Sequence, residues 1–131
     1  MKAMPKAIIP ALGLTRVAIG IGLIANPMGI GKALGIADDA MRQSVWLARF
    51  TGGREIAIGL GTLLAWKRSE PLAGWIAAQA ISDATDTVAF AVVTSQGNVS
   101  PARGWGMAAF AASGAISEAA TAVALARTTS A

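Results

Sequence analysis

Four apolar runs, each long enough to cross a lipid bilayer as a helix, take up most of this chain. They cover about residues 5–25, 45–66, 71–94 and 101–126. A hydrocarbon core of about 30 Å needs about 20 helical residues, and each run reaches that length. Strands are far shorter, and a segment in lipid must pair its own amides, which leaves the helix as the backbone conformation. The expected fold class is all-α, a four-helix transmembrane bundle forming a single domain over residues 1–131.

Composition agrees with this expectation. The chain is 54% hydrophobic and 14% charged, whereas soluble domains carry about a quarter charged residues. Its 15 glycines and the many alanines of the second half let membrane helices approach closely. The absence of Cys, His and Tyr excludes disulfides, thiolate metal sites and histidine general bases. Catalytic, cofactor-binding and metal-binding residues are therefore expected to number none, and no cofactor is expected. The net charge of +4 comes from basic residues scattered near the ends of apolar runs. Lipid headgroups are the partner this distribution fits, and nucleic acid is not expected.

The punctuation between runs supports helices. Pro71 and Pro101 fall where a first helical turn tolerates proline. Ser100 stands ready to cap the fourth helix, and Ser44 or Asp38 the second. The links 67–70 and 95–100 are short, so successive helices run antiparallel. Residues 28–37 are apolar but too short to span, and lie either along the interface or in a loop. Lys2 and Lys6 before an apolar run imitate a signal peptide, yet Arg16 interrupts the run, so a retained helix is expected.

Trp46, Trp66, Trp75 and Trp105 all fall near run ends. With alternating helix direction, Trp46 and Trp105 share one interface and Trp66 and Trp75 the other, as anchors of an aromatic belt. Lys2, Lys6, Lys67, Arg68 and Arg127 lie on one side against Lys32, Arg42 and Arg103 on the other. That bias predicts a multi-pass protein of the cell (plasma) membrane with both termini cytoplasmic.

The residues that carry functional information are the ionisable ones inside the runs: Arg16, Arg54, Glu55, Asp83, Asp86 and Glu118, with Arg49 close enough to an end to snorkel. Each embedded charge costs about 2.5–3.5 kcal/mol on insertion scales unless it finds a partner. At about 1.5 Å per residue, Arg16 and Asp83 both fall near the bilayer midplane. Gln79, Ser82, Asp83 and Asp86 form one polar stripe on the third helix. Ser113, Ser117 and Thr121 recur every four residues on the fourth, with Glu118 alongside. Gly13 and Gly20 flank Arg16, and Gly53, Ala57 and Gly61 make a small-residue packing face on the second helix. Turning these faces inward gathers Arg16, Arg54, Glu55, Gln79, Asp83, Asp86 and Glu118 into a buried polar network or a ligand or ion site. Two positive charges then face four negative ones, with Arg16 or Arg54 pairing to Asp83 or Asp86.

Enzymatic motifs are incomplete. Asp83 and Asp86 share a helix, which does not suit an aspartyl protease. Asp-x-x-Asp alone is short for a metal-dependent lipid phosphotransferase. Gly20-x-Gly22 lacks the strand–turn–helix setting of a nucleotide loop.

The run from Arg49 through Arg54-Glu55 to Leu60, followed by Asp83-x-x-Asp86 in the next helix, resembles an uncharacterised family of small four-helix bacterial integral membrane proteins. The resemblance implies the four-helix layout and a pairing of Arg54 and Glu55 with Asp83 and Asp86, and it implies no activity. The expected function is an accessory or scaffold component of a membrane complex, with a homo-oligomer or a larger assembly as partner. A small transporter or channel for protons, cations or a polar ligand is the alternative, and an intramembrane lipid-modifying enzyme the second alternative.

Overall fold

The computed structural model describes residues 6–129, which are all-helical, with no strand among them. Lys2 and the expected helix start at Pro5 lie outside the described residues. A 3-10 turn, Lys6–Ile8, leads into α1 (Ile9–Ala25), α2 (Pro27–Leu34), α3 (Asp38–Gln43), α4 (Val45–Lys67), α5 (Ala73–Ser95) and α6 (Pro101–Thr129).

Asn26 both ends one helix and begins the next. Its N–H donates to Gly22 O at 2.8 Å, closing α1, and its side-chain oxygen accepts from Gly29 N at 2.9 Å, capping α2. Proline at the following position cannot continue α1, and the axis bends by 112° between α1 and α2. Residues 28–37 thus contain a short helix rather than an ordinary loop. α2 ends at Gly35, whose φ of 75° lies in the left-handed region. Ile36 N donates to Gly31 O and Gly35 N to Lys32 O, the paired bonds of a Schellman closure.

The same closure recurs at two further helix ends, and it corrects one expected boundary. After α4, Ser69 takes the left-handed position with φ 56°, and Glu70 N reaches back to Ala65 O at 2.9 Å. That turn consumes residues 68–70, so α5 begins at Ala73 rather than at Pro71. After α5, Gly97 has φ 76° and Asn98 N donates to Val93 O at 3.1 Å. The expected caps of the second long helix also change. Asp38 opens the separate helix α3, where its charge meets the positive end of the helix dipole. Ser44 makes no cap, because its hydroxyl donates backward to Ala40 O at 2.6 Å.

The closest packing joins α1 to α4 and α5 to α6. Between α1 and α4 the contact is backbone to backbone. A Cβ on Gly20 would stand 2.5 Å from Gly52 O, and one on Gly59 would stand 2.6 Å from Gly13 O. The glycines are seven apart on both helices, the spacing at which an antiparallel pair meets again two turns later. This corrects the expected packing face of Gly53, Ala57 and Gly61. Gly53 and Ala57 are exposed, and Gly61 instead receives the Trp75 ring.

Burial runs opposite to that of a water-soluble domain. Phe110 is 82% exposed, Phe50 73% and Ile81 69%, while Gln79, Thr62, Thr121 and Ser82 are among the most deeply buried side chains. The apolar core is one small cluster of Ile9, Ile76 and Ala122 with Leu72, Ala77 and Leu125 around it. All four tryptophans are exposed. Two helices, α5 and α6, are long and apolar enough to cross a membrane, and α1 with α2 would make a third if the bent pair is one span. α4 is as long as α5 but carries Arg49, Arg54 and Glu55. An apolar exterior with helices of this length is consistent with a membrane protein.

Candidate functional site: an arginine shared by four helices

Arg16 lies midway along α1, three residues after Gly13 and four before Gly20. Glu55 lies three after Gly52 and four before Gly59 on α4. The antiparallel glycine contacts therefore set these two side chains opposite each other, and Arg16 Nη1 donates to Glu55 Oε2 at 2.7 Å. The α5 stripe closes over the same guanidinium. Nε donates to Gln79 Oε1 at 3.0 Å, Nη1 to Ser82 Oγ at 3.4 Å and Nη2 to Asp83 Oδ1 at 2.6 Å. From α6, Glu118 accepts from Nη2 through Oε1 at 3.1 Å.

A guanidinium has five N–H donors in a fixed plane. Gln79, Glu55, Ser82, Asp83 and Glu118 supply an acceptor for each, drawn from the other three long helices. Arg16, Glu55, Gln79, Ser82 and Glu118 are all buried. Among the described residues no buried side-chain nitrogen or oxygen lacks a partner.

A second guanidinium extends the network toward one side. Arg54 Nη2 donates to Asp86 Oδ1 at 2.8 Å, and its Nε to Glu55 Oε1 at 3.1 Å. Glu55 therefore bridges both arginines, and Ser82 Oγ donates to its Oε1 at 2.7 Å. Arg16 takes Asp83 and Arg54 takes Asp86, so the two aspartates of α5 divide between the two cations. Exposure rises along this line. Arg16 and Glu55 are buried, whereas the Arg54 and Asp86 side chains are 30% and 32% exposed.

The structure thus brings together Arg16, Glu55, Gln79, Asp83 and Glu118, with Arg54 and Asp86 at the outer end. One further member belongs to none of the polar stripes. Thr62 is fully buried and accepts from Gln79 Nε2 at 2.8 Å while donating to Ile58 O at 2.8 Å. Its signal was its position seven residues after Glu55, on the same face of α4. The polar line on α6 turns inward only in part, with Thr121 buried and Ser117 half-buried. Ser113 is exposed, and Ser113, Ser117 and Thr121 donate back to carbonyls of their own helix.

Chemically, Arg16 supplies the positive charge that faces Glu55, Asp83 and Glu118. Among the described residues no group of three metal-ligating side chains is arranged to hold an ion. Sliding any one of these helices would unpair a buried charge, which opposes a change of register.

Asp83 itself rests on a glycine. A Cβ at Gly114 would overlap Asp83 Oδ2. Gly114→Ala is expected to push that carboxylate off Arg16 and cost about 1 kcal/mol or more. In an Asp83→Ala background the same change should cost nothing, and the difference in unfolding midpoint between the two backgrounds measures the coupling.

No family model, characterised protein or solved structure matches the chain.

Proposed function

We propose that the chain is a multi-pass membrane scaffold, a non-catalytic accessory component that packs within a larger membrane assembly or with copies of itself. In this reading α4 is a fourth span beside α5, α6 and the α1–α2 pair. Its Arg54 and Glu55 enter the bilayer already paired, which offsets the insertion cost of about 2.5–3.5 kcal/mol for each charge. Both termini face the cytoplasm, in keeping with the excess of Lys and Arg on that side. The family of small four-helix bacterial membrane proteins that the sequence resembles has the same layout.

The observation that carries the scaffold role is the saturation of Arg16. Its five donors are spent on acceptors from three other helices. A carrier site must release what it binds, and a guanidinium locked by three carboxylates suits permanence better than exchange. Purified in a neutral detergent, the protein should run at a discrete multiple of its 13.2 kDa or with a stoichiometric partner. A strictly monomeric, partnerless protein removes the proposal.

Two observations favour a proton or cation path as a second reading. The carboxylates outnumber the guanidiniums, and the Arg54–Asp86 end is partly open. Proteoliposomes decide between the two. The scaffold predicts proton and sodium flux equal to that of protein-free vesicles, unchanged by Asp86→Asn. Flux that Asp86→Asn abolishes selects the path.

A further inference from the structure

The α3–α4 junction carries basic side chains that the buried network does not use. An open groove of about 750 Å³ runs along the first turns of α4, lined by Arg42, Trp46, Arg49, Phe50, Gly53 and Arg54 among others. Arg42 and Arg49 are exposed and make no ion pair among the described residues, and no carboxylate lines the groove. Trp46 and Phe50 meet edge to face with centroids 6.0 Å apart. Nothing lies within 4 Å of where a Gly53 Cβ would be, so the floor of the groove is open.

We propose that this groove binds the headgroup of an anionic phospholipid. The proposal rests on the membrane reading above. Arg49 is four residues into α4, about 6 Å from its start, a depth at which its side chain reaches the headgroup layer. There a lone guanidinium attracts phosphate, and two that flank one groove offer forked donors to a phosphodiester. Trp46 has the amphipathic character of a residue at that level, and the exposed Phe50 ring continues the groove toward the acyl chains. Charge complementarity selects the occupant, because a zwitterionic headgroup would bring its own cation against Arg42 and Arg49.

The test uses the full chain in neutral detergent with equimolar phosphatidylglycerol and phosphatidylcholine, read by native mass spectrometry. The expected result is one phosphatidylglycerol retained in preference to phosphatidylcholine, with the preference falling about tenfold or more in Arg42→Gln/Arg49→Gln. Neither arginine belongs to the buried network, so the double variant should melt with the wild type by circular dichroism, and Arg68→Gln should keep the preference. Equal retention of the two lipids, a preference that survives the double substitution, or displacement of the lipid by millimolar inorganic phosphate each overturns the lipid site. Recovery of the protein in the aqueous fraction without detergent overturns the membrane reading instead.

Discussion

Arg16→Met is expected to lower folding stability by about 3–5 kcal/mol, the range for removing one partner of a buried ion pair. Methionine fills much of the same volume, so the loss is electrostatic rather than a cavity. Glu55, Asp83 and Glu118 are left facing one another with the cation gone. Arg16→Lys should recover little, since an ammonium has three donors for five acceptor positions and cannot fork between α4 and α5. A titration of mixed micelles with a denaturing detergent, followed by circular dichroism, gives the unfolding midpoints. The decisive companion is Arg16→Met with Glu55→Gln, Asp83→Asn and Glu118→Gln. If the network is a lock, neutralising the carboxylates restores a large part of the lost stability. An Arg16→Met protein that unfolds within about 0.5 kcal/mol of the wild type, as an ordinary surface change would, removes the lock altogether.

Much of the architecture around Arg16 was legible in the sequence. Helix placement was, because hydropathic length is a one-dimensional property. α4, α5 and α6 fall within three residues of the runs expected for them. Arg16 stood out for the same reason, as a lone cation at the centre of an apolar run. What the sequence could not supply was the choice of partner face. Gly52 and Gly53 are adjacent, and their faces differ by about 100° around the helix. A four-residue repeat through Gly53, Ala57 and Gly61 competes with a seven-residue repeat through Gly52 and Gly59. Only the matching pair on α1, Gly13 and Gly20, selects the second. Once it is selected, Glu55 and Thr62 turn inward together, seven residues apart on one face of α4. α2 was ambiguous for a different reason. Eight residues are too few for periodicity to separate helix from loop, and the deciding contact is the Asn26 side chain on Gly29 N.

The division of α5 between two arginines was likewise not fixed by spacing. Asp83 and Asp86 are three apart and nearly share a face, so either could serve either cation. In the structure Arg16 takes Asp83 and Arg54 takes Asp86, while Glu55 accepts from both arginines.

The glycine contact between α1 and α4 yields the second large effect. Gly20→Val is expected to cost about 3 kcal/mol, at the upper end for overpacking a close interface. The first added carbon would stand 2.5 Å from Gly52 O and 2.7 Å from Ile56 Cγ1. The oxygen belongs to a helical backbone and cannot rotate aside as a side-chain tip would, so the two helices must separate. Separation lengthens the 2.7 Å bond between Arg16 and Glu55, so part of the cost arises at the charge network and not at the glycine. Gly20→Val should accordingly cost less when Arg16 is already methionine, and a double-mutant cycle reads that coupling directly. Gly106→Ala is the control. It lies within α6, exposed, with nothing within 4 Å of the added methyl. Helix propensity then favours alanine by up to about 1 kcal/mol. A Gly20→Val protein as stable as Gly106→Ala would mean that the α1–α4 contact does not hold the register of Arg16 against Glu55.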